Sequence, residues 1–284
     1  MNVPAGASRV GAKRLPALGS RRVWVGLLLA ILGIAAVFFG AAFAVLVLAI
    51  AIGALWELGK LAESKGVALE FGVASMATTA YVALTYFGLI GRYEGDLLSA
   101  TVVVAMASAT FMSRGDQIMR SAFTLLGVLY IGKLLSYFVA IRNLPGIGVQ
   151  ATIDAIVIIA LTDVAAMVIG TTIGRTRLTS LSPRKTVEGA LGGLLVATAA
   201  AAAFALYLHW PWWSGAVVGA ITSLAAQAGD LVESALKRDA AVKDAGSAIA
   251  GHGGVLDRFD SYLFGGFAYY FALVLVGVIP IGAA

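Results

Sequence analysis

The chain has 284 residues, 60% of them apolar by type and only 12% charged, with a mean hydropathy of +0.94. Soluble globular domains carry roughly 25% charged residues, so this composition excludes an ordinary soluble enzyme and points to a polytopic membrane protein. There is no cysteine and there are two histidines, which excludes disulfides, thiolate and iron–sulfur centres, a cysteine nucleophile and a His/Cys zinc site; the formal charge of +5 is spread by membrane side rather than gathered on a soluble face, so nucleic acid is not an expected partner.

Residues 1–22 form a basic segment, with Arg9, Lys13, Arg14, Arg21 and Arg22 and no acid. The apolar run that follows, Val23 to Leu55, exceeds the roughly 7 to 15 apolar residues of a signal-peptide core and shows no polar cleavage segment, so it reads as retained membrane structure. It is also too long for one span of about 20 residues, and Gly40 near its middle divides it into helices at about 23–38 and 41–58. Further apolar runs lie at about 67–90, 97–113, 117–140, 149–173, 187–208, 212–236 and 262–281. The expectation is an all-α polytopic fold of about nine transmembrane helices. It forms a single integral membrane domain, with N-terminal helices over 23–145 and a C-terminal catalytic region over 146–284.

With the N-terminus in the cytoplasm, every Lys and Arg except Arg92, Arg142 and Lys133 falls at an inward end or loop, a strong positive-inside asymmetry. The expected setting is the bacterial inner (cell) membrane. Two cytoplasmic loops stand out, 174–186, which is polar and basic, and 237–261, which is glycine-rich and carries both signs of charge, so chemistry is to be sought there. Outside them, Glu57, Lys60, Glu63 and Lys65 read as a solvated helix end. Lys133 reads as a snorkelling lysine, and His209, beside Trp210, Trp212 and Trp213, as part of an outer interfacial turn.

In chain order, the first candidate is Asp163. It lies in an apolar helix with Ala166, Gly170 and Gly174 following at helical spacing, so it is expected to turn inward with that small face. Asp154 is nearer the other end and is not expected to share its site. In Ser182-Pro-Arg184-Lys185-Thr186-Val-Glu188, Thr186 can N-cap the next helix. Glu188 sits in that helix's first turn, and Arg184 and Lys185 flank a positive helix end suited to an anion. Asp230, Glu233, Ser234 and Lys237 share one helix face. A Glu233–Lys237 salt bridge accounts for one pair and leaves Asp230 to be explained. Beyond them, Asp257 and Asp260 follow Gly251, His252, Gly253 and Gly254. Glycines let backbone N–H groups approach an anion and carboxylates hold a hard divalent cation, so the stretch reads as a phosphate and metal site.

The run from Ser234 to Asp260 also resembles a known family, the membrane phosphatidate cytidylyltransferases, or CDP-diacylglycerol synthases. The shared pattern is Ser234-x-apolar-Lys237-Arg238, then Lys243-Asp244, then His252-Gly253-Gly254-apolar-x-Asp257-Arg258-apolar-Asp260, with Ala250 standing where Pro or Gly is usual. The segment from Ser182 to Gly189 is similar to the family's second motif, with Val187 in place of a tryptophan, and Asp163 falls where the family carries an intramembrane acid. The resemblance implies transfer of the cytidylyl group from CTP to phosphatidate, giving CDP-diacylglycerol and pyrophosphate, with Mg2+, a monovalent cation such as K+, and a homodimer among membrane lipids. It implies Asp230 and Asp257 as metal ligands with Asp163 and Asp260 next. Lys185, Lys237, Arg238, Lys243 and Arg258 would neutralise phosphates, and Asp244 and His252 would complete the catalytic set, His252 either bonding a phosphate oxygen or orienting the loop. Ser182, Arg184, Thr186, Glu188, Ser234, Gly253 and Gly254 would complete the substrate site. The alternatives weighed are a secondary transporter of an anionic metabolite and a CTP-dependent lipid-alcohol kinase on a related scaffold.

Overall fold

The computed structural model describes residues 31–112, 115–242, 246 and 254–280, and among them every regular element is a helix. In a bilayer each backbone N–H and C=O must find its partner within its own segment, and long apolar runs meet that demand only as helices. Residues 31–37 are helical and turn at Phe38 and Phe39 into α1 (Gly40–Ser64). There follow α2 (Phe71–Tyr86), α3 (Ile90–Met112), α4 (Gln117–Arg142), α5 (Gly148–Ile173), α6 (Val187–Tyr207), α7 (Trp212–Asp239) and α8 (Leu256–Leu275). Buried threonines such as Thr85, Thr152 and Thr162 return their hydroxyls to the carbonyl four residues back, which keeps a polar atom satisfied inside an apolar bundle.

Six of these helices, all but α2 and α8, are long and apolar enough to cross a membrane. Helix α2 has 16 residues, and α8 opens on Asp257, Arg258 and Asp260. Half of the first expected span, 23–38, falls outside the described residues, as do the basic segment 1–22 and Arg114.

Helices α5, α6 and α7 pack closely in sequence order, α8 lies against α7 and also touches α4, α5 and α1, and α1 to α4 pack among themselves. Close approach depends on small residues. A Cβ on Gly193 would stand 2.6 Å from the Thr162 carbonyl oxygen and one on Gly189 would stand 2.5 Å from that of Ala166, so α6 meets α5 backbone to backbone at these two positions.

Two expectations are corrected in the N-terminal half. Helix α3 begins at Ile90, well before the expected 97, because Arg92, Glu94 and Asp96 depress the local hydropathy without breaking the helix. Glu94 then forms an ion pair with Lys133, so Lys133 is a paired cation rather than a snorkelling one. It ends a π-helical segment, Val128–Lys133, within α4, where Gly132 lies against Thr78.

Candidate active site

The loop between α5 and α6 is held by its own backbone. Thr186 caps α6, its Oγ1 accepting from the Gly189 N–H at 3.2 Å, as its residue type and place foretell. Glu188, in the first turn, accepts from the backbone N–H groups of Arg175 and Thr176, each at 3.1 Å. The N–H of Leu178 donates to the Lys185 carbonyl at 2.9 Å, that of Lys185 to the Ser182 carbonyl at 3.0 Å, and Arg177 and Thr186 form an isolated β-bridge. These bonds commit Glu188 to folding the loop and present Lys185 to the adjoining helix. Arg184 points outward and is exposed.

Lys185 ion-pairs with Asp230 of α7, so the acid that the Glu233–Lys237 pair leaves over finds its partner in a different segment. Two turns on, Lys237 bridges two acids, with Nζ 2.5 Å from Glu233 Oε2 and 2.6 Å from Asp257 Oδ1. Glu233 is completely buried. The second oxygen of Asp257, Oδ2, accepts from the Gly254 N–H at 2.9 Å, which ties the start of α8 to the glycine turn before it. Ser261, on the next turn of α8, donates its hydroxyl to Asp163 of α5 at 3.3 Å, and its N–H to Asp260 at 2.7 Å. Burial pushes the Asp260 carboxyl above the usual carboxylate range, and the charges of Asp230 and Asp163 nearby push it further.

Asp163, Asp230, Asp257 and Asp260, from three helices, thus gather at one end of the bundle together with Lys185, Lys237, Ser234 and Gly254. Lys243, Asp244, His252 and Gly253 lie outside the described residues. Arg238 and Arg258 are on the exposed side of their helices. Asp154 is separate, as expected, its Oδ2 accepting from the Tyr269 hydroxyl at 2.9 Å.

The donor chemistry fits Mg2+. Among the described residues no three of Asp, Glu and His are grouped so as to hold a metal ion by themselves, but Mg2+ is commonly held by one or two carboxylates plus substrate phosphates. Asp163, Asp230 and Asp260 oppose one another's charge, an arrangement that a divalent cation relieves.

Sequence reasoning missed one residue. Glu57 belongs to no solvated helix end: it is wholly buried, and its Oε2 accepts from the Leu256 N–H at 2.8 Å, at the start of α8. The signal was present in its spacing, since Ala54, Leu58 and Leu61, all buried, place it on the packed stripe of α1.

Comparison with known proteins shows the family. The model of a family described as the cytidylyltransferase family matches residues 20–276. The phosphatidate cytidylyltransferase of Bacillus subtilis (strain 168) is 34% identical over 266 residues, covering 90% of this chain and 97% of its own. The phosphatidate cytidylyltransferase of Synechocystis sp. is 37% identical over 226 residues, covering 64% of this chain and 77% of its own. In Arabidopsis thaliana, the chloroplastic phosphatidate cytidylyltransferase 4 is 37% identical over 223 residues, 68% of this chain and 56% of its own.

Proposed function

The chain belongs to the cytidylyltransferase family, and from that premise we propose that it transfers the cytidylyl group of CTP to phosphatidate, releasing pyrophosphate and forming CDP-diacylglycerol for phospholipid synthesis. The observation that carries this reading is the meeting of two segments far apart in sequence: Lys185 from the α5–α6 loop and Lys237 from α7 stand among Asp230, Glu233 and Asp257. Anionic reactants call for the two lysines, and a divalent cation beside them would call for the acids.

The lipid phosphate is its own nucleophile. One of its oxygens attacks the α-phosphorus of CTP, the bond from that phosphorus to the bridging oxygen of the β-phosphate breaks, and the electron pair leaves with pyrophosphate. No covalent enzyme intermediate is required, so the work of the protein is positioning and charge neutralisation. Lys185 and Lys237, released from their acids when phosphates arrive, contact phosphate oxygens, and Arg238, Lys243 and Arg258 add positive charge at the mouth of the site. Thr186, Ser182, Arg184, Glu188, Ser234, Gly253 and Gly254 shape the walls that orient the substrates, Glu188 through the loop it folds. Asp163, Asp230, Asp257 and Asp260 would hold Mg2+, which when bound neutralises phosphate charge and stabilises the leaving pyrophosphate. Asp244 and His252 complete the loop, and a monovalent cation such as K+ accompanies Mg2+.

The chain is a multi-pass membrane protein, as its six apolar helices and membrane-enzyme relatives indicate. The finer reading is nine spans in an inner membrane, N-terminus and active site cytoplasmic, working as a homodimer; the basic asymmetry supports the orientation. The test is direct. Purified protein in mixed micelles with CTP, Mg2+ and phosphatidate is scored for CDP-diacylglycerol and pyrophosphate in equal amounts. Pyrophosphate release without the lipid product, or CMP-free phosphorylation of a lipid alcohol, refutes the assignment.

A further inference from the structure

We propose that Glu57, contributed by α1 from the opposite half of the chain, is a positioning residue that seats the glycine turn and through it sets the carboxylate of Asp257. The proposal rests on the reading of that turn as part of the cytidylyl-transfer site. Helix α1 meets the turn along one face. Gly53 and Glu57 lie one turn apart, and a Cβ on Gly53 would stand 3.2 Å from Cγ2 of Val255. Glu57 is wholly buried, and its Oε2 accepts from the Leu256 N–H at 2.8 Å. Its other oxygen, Oε1, has no hydrogen-bond partner among the described residues.

The carboxylate is packed against both Gly246 and Gly254, two points of the segment between α7 and α8, where a methyl group on either glycine would overlap it. Both positions are therefore glycine because of what lies opposite them. Gly254 N–H in turn donates to Asp257 Oδ2 at 2.9 Å. A continuous path of contact runs from α1 to the acid: Glu57 fixes Leu256 and Gly254, and Gly254 clamps one oxygen of Asp257 while Lys237 holds the other. A carboxylate buried at the first turn of α8 is also favoured by the positive end of that helix.

Glu57 touches none of the reacting groups, so its effect is indirect and separable. In the full-length protein in micelles, Glu57→Ala is expected to raise amide hydrogen exchange across residues 254–260 by about tenfold or more. It should raise the Mg2+ concentration needed for half-maximal turnover by about 10- to 100-fold, the range seen when a residue supporting metal ligands is lost. Glu57→Gln keeps an oxygen acceptor for the Leu256 N–H and should return both readouts to within about threefold of wild type. The reciprocal arm uses Gly254→Ala, which should be impaired alone and partly restored by Glu57→Asp, whose shorter side chain leaves room for the methyl.

Wild-type exchange and wild-type Mg2+ dependence in Glu57→Ala overturn the proposal even if that variant melts at a lower temperature. If Glu57→Ala does not fold, the comparison of Gly254→Ala with the Glu57→Asp/Gly254→Ala pair decides, and failure of the second substitution to help overturns it. If the Glu57 variants show the expected exchange changes while the wild-type protein makes no CDP-diacylglycerol, the enzymatic assignment is refuted and the anchoring by Glu57 stands.

Discussion

Replacing Lys237 by methionine keeps the length of the side chain and removes the ammonium, and its effect can be worked from the ion pairs. Lys237 is 16% exposed at its side chain, Asp257 11% and Glu233 0%, with Nζ at 2.5 and 2.6 Å from the two acids. Charges this sheltered are poorly screened, and removing one partner of a buried pair costs about 3–5 kcal/mol because the other charge is stranded. Asp257 keeps the Gly254 N–H, so the larger share of the loss falls on Glu233. At roughly 2–4 °C per kcal/mol for a chain of this order of size, the melting temperature should fall on the order of 10 °C. Glu233→Gln in the same protein removes the stranded charge and should recover most of that loss. Turnover behaves differently: measured well below both melting temperatures, it should fall in Lys237→Met and stay low in the double variant, because the ammonium proposed to contact phosphate is still missing. The assay is thermal unfolding in detergent beside CTP turnover at low temperature. A Lys237→Met protein melting within about 1 °C of wild type would falsify the argument, since Glu233 would then not depend on this cation.

Asp230→Asn should lower turnover by about 100-fold or more with the protein still folded, because it preserves shape and deletes charge; wild-type activity and Mg2+ dependence would remove Asp230 from the metal set. Since the native chain lacks cysteine, single cysteines at exposed Ser180 and at Trp212, 61% exposed, report topology: a membrane-impermeant thiol reagent should reach Trp212→Cys and not Ser180→Cys in intact cells, and the reverse pattern refutes the orientation. Two glycines should respond with opposite signs. Gly193→Ala drives a Cβ to 2.6 Å from the Thr162 oxygen and should cost about 1–2 kcal/mol, whereas Gly95→Ala in α3, with open space around it, should stabilise by about 0.5–1 kcal/mol. Equal shifts in thermal melting would deny that α5 and α6 touch at that point.

What could be read without a structure was whatever acts locally. Apolar runs located the helices, Thr186 announced the start of α6 by residue type and position, and the spacing of Asp230, Glu233 and Lys237 placed them on one face of α7. The run from Ser234 to Asp260 was recognisable because its charges and glycines are dense within a short segment. What escaped was pairing between distant segments. Nothing near Glu57 in the chain says that its acid faces a turn some two hundred residues on, and its neighbours Lys60 and Glu63 disguise it as surface. Lys185 and Asp230 were each noted, but only the folded α5–α6 loop joins them. Helix α3 was set too far along because hydropathy scores Arg92, Glu94 and Asp96 as polar, while a salt bridge to another helix makes one of them tolerable.

That bridge, Glu94 to Lys133, bears on how the protein is made. Helix α3 leaves the ribosome before α4, carrying an acid near its leading end, and α4 later brings a lysine near its trailing end. A charged side chain costs an inserting helix about 2.5–3.5 kcal/mol at its centre on the scale set by the translocation machinery, and less toward its ends. Delivered as a hairpin, α3 and α4 cancel the two charges before either helix has to face lipid alone. The ion pair therefore ties α3 to α4 as a hairpin, and insertion of the two together would let Lys133 neutralise Glu94 as it arrives.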